Sequence, residues 1–296
     1  MGVNKMSFLY VCNTSSDSIS KIDLQKFKEE KQIYLKFKEL GPHDICSYED
    51  MLLIANSFGN SLSIINIFEE EEIENYFIGM HCNGVRTFED NAFIICGESN
   101  SILVFNLNRR KIIEEIPCGS FPHSIDINNN EELAVVTNMH SDSITIFNCR
   151  NRDWIRHLSV LQYPTKAIFS EDGDYIYICE SNMGVNNTGN LVIIDVKELK
   201  TIARIKVGNS PVDLFADKDY CYVSNFGDGT MSIVNVKEMR EINKIKVGGM
   251  PRGIVKHNNY IYIGDNYYNI LLQVDLEKEN KKVISIGKEP TGMILL

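Results

Sequence analysis

Histidine can act as base, acid or metal ligand near neutral pH. Four of the six in this 296-residue chain, His43, His81, His123 and His140, fall in its first half. Three or more convergent imidazoles with a carboxylate would suit zinc, nickel or iron, so these four are candidate ligands for a divalent metal. They are spread along the chain with no local ligand motif, so only a fold that gathers distant segments could make them a site. Glu180 and Asp265 could supply a carboxylate ligand or an acid, and Arg252 could hold an anionic group or an oxyanion.

The other usual chemistries are missing. There is no GxSxG elbow, HExxH helix or Walker loop. The eight cysteines include no CxxC pair and have irregular spacings, which argues against a zinc cluster or a disulfide scaffold. The net charge of −10 repels phosphate backbones, so nucleic acid is not an expected partner, and a basic or cationic partner is favoured. No apolar run reaches the length of a membrane span, and the N-terminal residues do not read as a secretory signal. A reducing, cytoplasmic setting, no membrane association and a monomer are expected.

The elements that would position these residues repeat. SLSIIN (61–66) recurs as SILVFN, SITIFN, NLVIID, TMSIVN and ILLQVD, with SISKID (18–23) near the start. Each run ends on Asn or Asp: Asp23, Asn66, Asn106, Asn148, Asp195, Asn235 and Asp275. An Asx at that place can accept hydrogen bonds from the backbone of a following turn. A β-branched and aromatic string precedes each run, as in YIYICE and CYVSNF. A Gly-x-x-Pro-type segment opens each unit, as in GPHDI (41–45) and GGMPRGI (248–254). Four short strands per unit of roughly forty to fifty residues is the pattern of a β-propeller. The chain starts at the second strand of a unit and stops after the first strand of another. The expected fold is therefore all-β: one domain over 1–296, seven blades of four antiparallel strands, the C-terminal strand completing the first blade and closing the ring.

The strings YVCN, YVSN and YIYICES, with SxS[IV]xN and GxxP, resemble the YVTN-repeat (YncE-like) family of seven-bladed propellers; the nearest stretch is CYVSNFGDGTMSIVNVKEMREINKIKVGGMPRGIV (221–255). The family includes surface proteins, binding proteins and relatives of lactonases, so the resemblance implies the fold more than the function.

In a propeller the d-to-a and b-to-c connections share one face, here called the top, around the mouth of the central channel. Aligning the units puts His43, Asn83, His123, Thr165, Val212, Arg252 and Thr291 at one repeat position, just after the opening Pro, whose place Cys82 takes in the third unit. The last residue of strand b is Asn13, Asn56, Gly97, Asn138, Glu180, Asn225 or Asp265. The recurring Asn reads as structural, which makes the deviants more interesting. The candidate ligand-binding set is His43, Asn83, His123, Glu180, Arg252 and Asp265; the candidate catalytic set is His43, His123, Glu180 and Arg252. The long b-to-c loop of the fifth unit (181–189) lies on the same face as a candidate lid or partner contact. Cys12, Cys96 and Cys179 share a position where every residue is small, a packing site. The preferred reading is a cytoplasmic binding or scaffold propeller recognising a small molecule, peptide or protein at the channel mouth. The alternative is a metal-assisted, lactonase-like hydrolase or lyase using the same mouth.

Overall fold

Seven four-stranded antiparallel sheets form a ring in the computed structural model, which describes residues 7–184 and 187–296. The innermost strands are Pro42–Tyr48, Cys82–Phe88, Pro122–Asn128, Pro164–Phe169, Pro211–Ala216, Pro251–His257 and Pro290–Leu295. The last of these belongs to the first blade, where it pairs antiparallel with Phe8–Asn13. That pairing closes the ring, and backbone bonds in both directions between Phe8 and Leu296 finish it.

The ring follows from where the apolar side chains go. Strands b and c are buried along nearly their whole length on both faces, as in Met51–Asn56 and Ser101–Asn106. One blade cannot cover both of its faces, so the core is divided into seven clusters, each lying between neighbouring blades. Leu53, Leu62 and Ile64 of the second blade meet Val85, Ile94 and Phe105 of the third. Leu9, Val11 and Ile22 of the first meet Tyr262 and Leu271 of the seventh. Each buried aliphatic side chain contributes about 1.5–3 kcal/mol, so each interface contributes substantially to stability.

Two sets of Asx side chains hold the turns. All seven residues ending strand c cap the turn that follows: Asn66 Oδ1 accepts from the backbone N–H of Phe68 and Glu69, and Asp275 Oδ1 from Glu277 and Lys278. Asp23, Asn106, Asn148, Asp195 and Asn235 do likewise. A second set, in the b-to-c loops, fixes the d-to-a connections. Asn60 accepts from His81 N–H, Asn100 from Phe121, Asp142 from Tyr163 and Asn269 from Glu289. Those four acceptances lock the residue before each inner strand at a φ of +53 to +60, the left-handed region.

In the fifth blade the outer hairpin is longer than elsewhere, Thr188–Asp195 against Lys200–Asn209, pairing as far as Thr188 with Asn209. Part of the long loop is thus strand. Val185 and Asn186 of that loop lie outside the described residues.

Candidate functional site at the channel mouth

Each inner strand begins with an irregularity beside strand b, and this aims its second residue. In five blades the residue left out of the pairing is itself the aligned position: His43, Asn83, His123, Thr165 or Val212. In the seventh, Arg252 stays paired and Gly253 is skipped. Gly253 sits at φ +51, and a Cβ there would lie 2.1 Å from the Thr291 carbonyl oxygen, so only glycine fits. All seven aligned residues line one small cavity of about 40 Å³, together with Asp44, Ser124, Lys166, Asp213 and Gly292 of the next layer. A space of that size takes on the order of three waters.

Most polar groups of the ring are used to hold one blade to the next. Asn83 Nδ2 donates to Pro122 O, Thr165 Oγ1 to Pro211 O, and Thr14 Oγ1 to Pro42 O. His43 Nδ1 donates to Asn83 O at 2.8 Å and His123 Nδ1 to Thr165 O at 2.7 Å. Because a carbonyl can only accept, both imidazoles carry their proton on Nδ1 and offer a lone pair at Nε2. Arg252 donates to His43 Nε2 at 2.9 Å. Among the described residues nothing donates to His123 Nε2, although its ring stands edge-on to His43 with centroids 5.7 Å apart.

Burial, and then the Arg252 charge, hold both imidazoles neutral: His43 falls well below its ordinary value and His123 drops to about 4. Burial likewise lowers the pKa of Arg252, against the attraction of Asp213 and Glu289. No ion pair joins Arg252 to a carboxylate among the described residues, and only one of its five N–H groups finds a protein acceptor. The neighbouring charges are paired: Arg86 with Asp44 at 2.8 Å and Asp126 at 3.8 Å, Lys166 with Asp213 at 3.1 Å. Burial disfavours the charge of Arg86, but Asp44 and Asp126 more than offset this and its pKa is raised.

The structure brings together His43, Asn83, His123 and Arg252 from the sequence-derived set, and separates the others. Glu180 does not line the cavity. It is fully buried within the fifth blade, where it accepts from Leu161 N–H, Asn190 Nδ2 and Arg204 Nε. It replaces the Asn that elsewhere ties strand b to strand c, as Asn56 does through Ser61 and Ser63. Asp265 is turned into a cap, accepting from the N–H groups of Met250, Tyr267 and Tyr268. His81 and His140 flank Phe121, with His140 stacked on it at 4.4 Å, and neither lines the cavity. No cluster of three or more metal-type side chains exists among the described residues. Among the described residues at the mouth only the His123 imidazole offers an unoccupied nitrogen, so the residues present do not fit the candidate divalent metal. Sequence reasoning missed Asp44, Ser124, Lys166 and Asp213; the repeat column one residue further along would have found them.

No family model and no curated protein matches the chain. Among solved structures it is similar to a functionally unknown protein from Desulfotomaculum acetoxidans, at TM-score 0.79 and 13% identity over 97% of this chain and 98% of that one. It is similar to Kuenenia stuttgartiensis hydrazine synthase, at TM-score 0.78 and 16% identity over 94% and 92%. It is also similar to Citrobacter koseri AztD, at TM-score 0.69 and 12% identity over 98% of both chains. Identities this low establish the propeller fold and carry no function across. No helix among the described residues is long and apolar enough to cross a membrane.

Proposed function

We propose that this chain is a binding propeller that holds a small ligand by an anionic group at the mouth of its central channel. Arg252 carries the reading. Its guanidinium lines the cavity with no ion-paired carboxylate, and its one protein acceptor is a neutral imidazole. A guanidinium so placed loses hydration without gaining a carboxylate in direct contact, and a bound anion would supply one. Side-chain hydrogen bonds tie the blades around it to one another, which suits recognition by a preformed site. The repeat strings support placement in the YVTN-repeat family, and eight free thiols suit a reducing compartment such as the cytoplasm. The acidic net charge favours partners other than nucleic acid.

A second reading has one observation in its favour. His123, neutral and with an open Nε2, stands in the same small cavity as a cation, which is the pairing of a general base with an oxyanion stabiliser. It would support lactone hydrolysis by these side chains alone.

Thermal unfolding of the wild type, Arg252→Gln and Glu180→Gln, each with a panel of small carboxylates, amines and neutral sugars, tests the binding reading. A ligand at about 100 times its Kd adds roughly 2.7 kcal/mol. At least one carboxylate is expected to raise Tm by several degrees in the wild type and in Glu180→Gln, and to do nothing in Arg252→Gln. Stabilisation by amines alone, or equal stabilisation of Arg252→Gln, would refute it.

A further inference from the structure

The balance of open and used hydrogen-bonding groups at the mouth limits what an anion there can look like. Several donors there are spent on carbonyls of neighbouring blades: one N–H of Asn83 on Pro122, the hydroxyl of Thr165 on Pro211 and that of Thr14 on Pro42. The Ser124 hydroxyl accepts from Ala167 N–H and is hydrogen-bonded to the Thr137 hydroxyl. Lys166 is ion-paired with Asp213. Two groups stand out as unmatched: the N–H groups of Arg252, which need an acceptor, and Nε2 of His123, which needs a donor. Both flank the same side chain, His43, so one small molecule can reach both.

We infer that the channel mouth selects a small oxyanion carrying its own hydroxyl beside the charge, a 2-hydroxycarboxylate, with the carboxylate on Arg252 and the hydroxyl donating to His123 Nε2. The inference rests on the binding reading above and narrows it to a ligand class. A plain carboxylate satisfies Arg252 but turns its oxygens toward a lone pair. It could gain a hydrogen bond from that side only if His123 took up a proton, which burial and the nearby guanidinium oppose. An amine fits the imidazole but meets the guanidinium as a like charge. The cavity limits the enclosed part of the ligand to a few heavy atoms, so the smallest members of the class fit best.

Calorimetric titration of the intact protein at pH 7.5 with glycolate, acetate and methylammonium tests this. Glycolate is expected to bind about tenfold tighter than acetate, the worth of one hydrogen bond to an otherwise unpaired acceptor, and methylammonium not at all. In His123→Gln the preference for glycolate should shrink while Arg252 still holds both anions weakly. The wild-type comparison alone decides the question if that variant fails to fold. Equal binding of acetate and glycolate would overturn the hydroxyl rule and leave the anion site standing. Binding of methylammonium in place of either anion would overturn both the rule and the reading beneath it. Failure of all three probes would overturn the 2-hydroxycarboxylate assignment, while the wider thermal panel decides the binding reading separately.

Discussion

Glu180 and Arg252 show how differently two deviations from a repeat can be used. Both depart from the neutral residues that predominate in their columns, and sequence alone ranks them equally. Glu180 is spent inside its blade on Arg204, Asn190 and a backbone N–H, whereas Arg252 reaches the channel and makes no ion pair with a described carboxylate. Glu180→Gln should therefore cost about 1–3 kcal/mol of stability, read by urea denaturation, without changing ligand affinity. The neutral histidines give a pH signature with a definite sign. His123 titrates at 6.5 when unfolded and at about 4 when folded. The unfolded chain thus binds more protons between those values, and this contribution to stability is full above pH 6.5 and lost as pH falls toward 4. His123→Gln should flatten the decline of Tm over that window relative to the wild type. A variant that declines as steeply as the wild type would show that His123 is not held neutral.

Among the elements, the strands and their turns were the most legible part of the sequence. The Asx at the end of strand c was read as a turn cap, and all seven positions act as one. Removing a single cap, as in Asn235→Ala, should cost on the order of 1 kcal/mol, measured by chemical denaturation. The aligned position after the opening Pro was also readable, and its seven residues meet at one cavity. What the sequence did not show was the direction of the strand-b column. Asn side chains there bond to strand c and not toward the axis, as Asn56 does to Ser61 and Ser63, while the irregularity that aims the second residue of each inner strand has no residue signature of its own. Gly253 is the exception: its positive φ lets Arg252 stay paired beside it. Gly253→Ala should lower Tm and weaken anion binding together, because the Thr291 carbonyl must move. A variant that loses neither would mean the strand can rearrange around an added methyl group.

At the scale of the whole molecule, seven apolar clusters between blades make the ring one cooperative unit, and the pairing of Pro290–Leu295 with Phe8–Asn13 closes it. Deleting 287–296 exposes the inner edge of the first blade and removes the strand pairing that closes the ring, so the protein should lose a single sharp unfolding transition and tend to associate through that edge. Closure is also what makes the site, since Arg252 of the seventh blade meets His43 of the second across the completed ring. The most direct test of the account is the affinity of a small carboxylate for Arg252→Gln beside that for Glu180→Gln, measured by calorimetry at pH 7.5. Binding should weaken by tenfold or more in the first and stay unchanged in the second; the reverse pattern, or equal binding to both, would contradict an anion site built on Arg252.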